Sequence, residues 1–167
     1  ERRMFHGSIP ALITPFRNGI VDEQAFQALV ERQISEGSHG LVPCGTTGES
    51  VTLTAAEHER VIALTLEAAG GRVPVLAGTG SNDTRATVEK SKRAQQLGAQ
   101  GVLVVGPYYN KPTQEGYYRH FASVADALGL TPEDAGRATL VFQGNALRLT
   151  GIVRGEEFRS IQDIDGE

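Results

Sequence analysis

Two adjacent threonines held between glycines are the first residues in this chain able to do chemistry. Gly45-Thr46-Thr47-Gly48-Glu49-Ser50 offers two hydroxyls, each a donor and an acceptor, beside glycines that let backbone amides approach a ligand closely. That set suits a carboxylate, and it suits a proton relay; a Gly-Thr-Thr-Gly turn is equally at home in a plain structural loop. A second segment, Pro107-Tyr108-Tyr109-Asn110-Lys111-Pro112-Thr113-Gln114-Glu115-Gly116, adds two phenols and an amine. The phenols could reach the same rim as the threonines or pack their own loop. The Lys111 amine could form an imine with a carbonyl, although a lysine in a loop is more often a solvated charge. Only two other lysines occur, Lys90 and Lys92. Imine catalysis needs an amine in a desolvated interior, where its pKa falls.

The elements that must position these loops repeat as strand then helix, with a period of about 30 residues, the size of a βα unit. Apolar runs over residues 9–14, 40–44, 73–77 and 101–105 read as strands. The first is followed by a loop that ends at Val21 and Asp22. Asp22 reads as the N-cap of a helix with Phe26, Leu29, Val30 and Ile34 on one face. Thr54-Ala55-Ala56-Glu57 is a capping-box pattern, and His58, Val61, Ile62, Thr65, Leu66 and Ala69 follow at helical spacing. Asn82-Asp83-Thr84 opens a third helix, which runs to about Leu97. The fourth carries Tyr117, Phe121, Val124, Ala125 and Leu128 on one face. The fourth strand is apolar at nearly every position, the pattern of a strand buried on both faces. Four such units with short loops predict a parallel sheet with right-handed crossovers. Both threonine and tyrosine loops then leave the carboxyl ends of strands, where ligands gather in this architecture.

After Gly129 the pattern changes. Residues 138–153 form two apolar-polar runs around Gly144-Asn145, a two-residue turn signal. A hairpin closed there pairs Phe142 with Leu147 and Leu140 with Leu149. The reading divides the chain into residues 4–129 and a divergent tail over 130–167.

The bulk properties fit an ordinary soluble domain, with 167 residues, 40% hydrophobic, 22% charged and a net charge of -4. A complete eight-unit barrel needs about 250 residues. The weak negative charge and the lack of a basic run give no reason to expect nucleic acid or an anionic membrane as partner. Cys44 is the single cysteine, which points to a reducing cytoplasm. No apolar run approaches the roughly 20 residues of a membrane span.

Together with Met4-Phe5-His6-Gly7-Ser8-Ile9-Pro10-Ala11-Leu12-Ile13-Thr14-Pro15-Phe16 and Ala77-Gly78-Thr79-Gly80-Ser81-Asn82, the two loops resemble the 4-hydroxy-tetrahydrodipicolinate synthase (dihydrodipicolinate synthase) family. The resemblance runs from Met4 to about Ala127, and the wording of the loops is nearer this branch than the sialic-acid lyases and other pyruvate-dependent aldolases that share the barrel. It implies the N-terminal half of an aldolase-type (β/α)8 TIM barrel, about four βα units long. It implies a lyase that condenses pyruvate with L-aspartate 4-semialdehyde in lysine and diaminopimelate biosynthesis, acting as a homo-oligomer. It assigns no cofactor and no metal. Residue by residue, it makes Thr47 the holder of the pyruvate carboxylate and Thr46 a relay hydroxyl. Tyr109 becomes a relay tyrosine that completes a neighbouring subunit's site. Ser50, His58, Asn82 and Tyr108 fall on the family's lysine-inhibitor pocket, although Ala55 and Ala86 stand where some members have polar side chains. The imine lysine and the general-acid tyrosine of the family have no counterpart, since all four tyrosines precede residue 130. The expectation is an inactive chain when alone, from a truncated or frame-shifted gene, a chimera or a non-catalytic descendant. A non-catalytic module that binds a carboxylate or a partner half barrel is the alternative.

Overall fold

Each helix begins where a side chain can satisfy its unbonded first amides. Asp22 caps α1 (Glu23–Ser35), its carboxylate accepting from the Ala25 N–H at 3.1 Å while Arg17 pairs with it at 2.7 Å. Thr54 caps α2 (Ala55–Ala69) through a complete capping box. Its hydroxyl accepts from the Glu57 N–H, and its own N–H donates to the Glu57 carboxylate at 2.8 Å. Gly70 ends that helix in the left-handed conformation at φ 55°, which costs a glycine little.

The structure, a computed structural model, describes residues 5–130. The hairpin expected over 138–153 and the start at Met4 lie outside them. The described chain falls into two compact units.

In the first unit the four strands expected from the sequence pair in chain order and parallel. Ala11 bridges to Val42, Leu41 bridges to Val75, and β3 (Leu76–Gly78) pairs with β4 (Gly101–Leu103) from Leu76↔Gly101 to Gly78↔Leu103. The ladders are shorter than the sequence pattern suggests: the first two strands are reduced to single bridges. Gln100 helps set the register of the last pair. Its side-chain oxygen accepts from the Val75 N–H at 2.8 Å, and its own N–H donates to the Val75 carbonyl at 3.1 Å. β4 is not buried on both faces as its apolar run suggests; all three of its residues are half-buried. Among the described residues it pairs with β3 alone, so one side of it lacks a neighbouring strand.

Helices cover the outer face. Phe26 and Val30 of α1 pack with Val61, Ile62, Leu64 and Ala69 of α2 and with Leu12, Leu41, Val75 and Ala77 in one core. Arg60 of α2 grips Glu23 with two hydrogen bonds, and Arg72, just past the end of α2, does the same to Glu31, so α1 is tied to α2 and to the turn that follows it. Arg93 on α3 (Thr84–Leu97) pairs with Glu59 at 2.8 Å.

The stretch before α1 that reads as a loop in the sequence is a tight hairpin. β1 (Phe16–Arg17) and β2 (Ile20–Val21) pair antiparallel across Asn18-Gly19, both at positive φ, as a tight two-residue hairpin turn requires. In the second unit, Thr113 caps α4 (Gln114–Ala127), which buries His120 and Val124.

Candidate functional site

The Gly45-Thr46-Thr47-Gly48 turn sits directly past the Leu41–Val42 bridges of the first unit, at the carboxyl end of its strand. Its backbone folds on itself: the Gly48 N–H donates to Gly45 at 3.0 Å and the Glu49 N–H to Thr46 at 3.1 Å. Gly48 is buried, and a β-carbon there would lie 2.9 Å from the Leu12 carbonyl. From the other side the buried Thr14 hydroxyl donates to the Gly48 carbonyl at 2.8 Å. Cys44 and Glu49 flank the turn at φ 56° and 57°. Non-glycine residues in that region cost about 1–2 kcal/mol each, so the surrounding packing must impose the shape. Thr46 and Thr47 stay exposed, and among the described residues no hydrogen bond engages their hydroxyls or amides. The turn therefore presents two hydroxyls and two N–H groups in a held backbone, a set of donors that fits a carboxylate.

Beneath the turn lies a closed polar contact. The His58 Nε2–H donates to the Gly78 carbonyl at 2.8 Å, and the Cys44 thiol faces the His58 carbonyl at 3.7 Å. Burial pushes the Cys44 thiol up to about 12, with Lys90 opposing the rise. It holds the His58 imidazole below its ordinary range; the Gly78 hydrogen bond works against that shift and Lys90 adds to it. Both groups are neutral at pH 7. Ser50, also assigned to the inhibitor pocket by sequence, is half-buried in this unit, its N–H 3.4 Å from the Gly45 carbonyl.

The second unit carries the tyrosine loop. Tyr109 stands at φ 68° and Lys111 at φ 46°, both in the left-handed region. The Asn110 side-chain amide donates to the Asn82 carbonyl at 2.7 Å, and its N–H to Tyr108 at 2.8 Å, which pins this turn. Tyr109 is 92% exposed and Tyr108 42%. Asn82 is half-buried; Lys111 is exposed. His120, which sequence reasoning passed over, is buried beside them: its Nδ1 meets the Thr84 hydroxyl at 2.9 Å and its ring stands edge-on to Phe121. Burial lowers its pKa, with the Val105 backbone opposing the shift.

Residues 4–132 match the family described as the dihydrodipicolinate synthetase family. The chain belongs to that family. A 4-hydroxy-tetrahydrodipicolinate synthase of Rhodospirillum centenum is 61% identical over 127 residues, which are 76% of this chain and 44% of that relative. The synthase of that name from Methylacidiphilum fumariolicum SolV superposes with a TM-score of 0.75 at 41% identity, covering 83% of this chain and 43% of that structure. A protein described as a monomeric dihydrodipicolinate synthase variant superposes equally well, at 39% identity over 86% of this chain and 55% of its own. The chain thus spans less than half the length of the curated synthases it matches. Solved members of the dihydrodipicolinate synthetase family are TIM barrels, and the parallel strands and helices here form part of one, without closure.

In this dihydrodipicolinate synthetase segment Thr14 and Gly78 brace the threonine turn and His120 meets the start of α3 at Thr84, and the sequence signals none of them as functional. Their partners are 34, 20 and 36 residues away, beyond the reach of local spacing.

Proposed function

We propose that this segment supplies the carboxylate-binding half of a 4-hydroxy-tetrahydrodipicolinate synthase site, for pyruvate, and that the 167-residue chain by itself does not turn over. The observation that carries the reading is the held turn whose Thr46 and Thr47 hydroxyls and amides carry no hydrogen bond among the described residues. Thr47 and the adjacent amides take the carboxylate, and Thr46 passes a proton toward a phenol. Condensation with L-aspartate 4-semialdehyde requires an imine to draw electrons from pyruvate, and the three lysines stand poorly for it. Lys92 and Lys111 are exposed and Lys90 is half-buried on a helix face. Binding without turnover is therefore the expected behaviour.

The exposed ring of Tyr109 supports a second part of the proposal, that the loop is lent to the site of another copy in a homo-oligomer. The single buried thiol supports placement in the cytoplasm. Among the described residues, no helix is long and apolar enough to cross a membrane.

Calorimetry with pyruvate tests the binding half. The expected Kd is about millimolar, the roughly 4 kcal/mol that a few charge-assisted hydrogen bonds supply at an open site. No heat of binding at about tenfold higher concentration overturns the reading.

A further inference from the structure

The geometry points to His58 as the positioning residue of the Thr46/Thr47 turn, a brace that acts through the Gly78 carbonyl. His58 is 3% exposed, and its Nε2 lies within hydrogen-bond distance of the Gly78 carbonyl. A carbonyl only accepts, so the 2.8 Å contact with Gly78 places the imidazole proton on Nε2. Gly78 is committed in turn to the residues before the Gly-Thr-Thr-Gly turn. Its N–H donates to the Pro43 carbonyl at 2.9 Å. A β-carbon on it would lie 2.1 Å from the Cys44 carbonyl oxygen and 2.8 Å from the Gly45 nitrogen. The end of β3 is thereby pressed against the Cys44–Gly45 peptide, the hinge from which the turn departs. The Cys44 thiol closes the circuit on the His58 carbonyl. One buried donor thus fixes the strand end that holds Cys44 in its left-handed conformation at φ 56°. The imidazole stays neutral, because burial and Lys90 both oppose its protonation.

This deepens the carboxylate-binding reading of the turn and rests on it for its purpose, whereas the brace itself is measured without a ligand. His58→Gln keeps an N–H near the position of Nε2, and His58→Met keeps bulk without a donor. Amide hydrogen exchange at Gly48 and Glu49, both hydrogen-bonded within the turn, reports the brace; Leu64, in the middle of α2, reports opening of the whole unit. In His58→Met, exchange at Gly48 and Glu49 should accelerate about tenfold relative to Leu64, the size of one lost hydrogen bond. Pyruvate affinity, followed at the Thr47 amide, should fall by about the same factor. His58→Gln should bring both back to within about threefold of the parent chain. Equal acceleration at all three amides, or no acceleration, overturns the brace, and so does a His58→Gln that behaves like His58→Met. If the parent chain binds no pyruvate, the functional reading fails, while the exchange ratio still decides the brace. Should His58→Met not fold, imidazole nitrogen NMR of the parent chain decides: protonated Nε2 and bare Nδ1 are expected at pH 7, and the opposite tautomer contradicts the proposal.

Discussion

Thr47 and His58 divide the work of one small turn: the first offers its hydroxyl outward and the second holds the backbone from below. Thr47→Ala removes one charge-assisted hydrogen bond, so pyruvate affinity should fall about tenfold, with Thr47→Ser close to the parent chain in the same calorimetric titration. The two buried imidazoles give a pH dependence with a definite sign. The folded-state pKa of both His58 and His120 lies below the ordinary 6.5. Between the folded and ordinary values, the unfolded chain binds protons that the folded chain refuses. Their contribution to stability is therefore complete above pH 6.5, declines as pH falls below it, and levels off beneath the folded pKa. Urea midpoints should drop between pH 7 and 5.5, and His58→Gln should make that drop shallower. An unchanged slope in the variant would remove His58 from the account. At this scale the sequence marks Thr46, Thr47 and Tyr109 by their loop motifs, and the structure leaves all three exposed. The sequence was silent on the inward ones. His58 reads as one more position on a helical stripe, and its acceptor belongs to a strand 20 residues later.

The helices were legible as elements because each start is chemically marked nearby. Asp22, Thr54 and Thr113 all cap as their side chains allow, and Thr84 begins the third helix after Asn82 and Asp83. Thr54→Ala abolishes the hydroxyl half of a complete capping box and should cost about 1 kcal/mol in urea unfolding, with Thr54→Ser near neutral. The strands were legible in place but not in extent. Apolar runs such as 9–14 and 101–105 mark where chain is extended, whereas the length of a ladder depends on partners that the run does not encode. The hairpin at Asn18-Gly19 corrects the sequence reading of a plain loop: its signal is two residues tolerant of positive φ between strands only two residues long, too short for an apolar pattern. Gly19→Ala puts a side chain at φ 79° and should cost about 1 kcal/mol without touching the core.

For the whole chain, family and fold were legible because the loop motifs, the βα period and the shared first strand agree with one another. The segment corresponds to 44% of the length of a 4-hydroxy-tetrahydrodipicolinate synthase relative, and on the proposed reading it binds pyruvate without the amine that would form the imine. The arginine pairs that clamp α1, α2 and α3 are solvent-exposed, so each adds little to stability and the buried core must hold the first unit together. The central claim is that this chain keeps the cradle for pyruvate and lacks the covalent chemistry. Incubation with pyruvate and borohydride, followed by intact mass, tests it most directly, because reduction fixes any imine as a stable adduct. The expected result is an unmodified chain under conditions where calorimetry shows pyruvate bound. A stoichiometric adduct mapped to Lys90, Lys92 or Lys111 would contradict it.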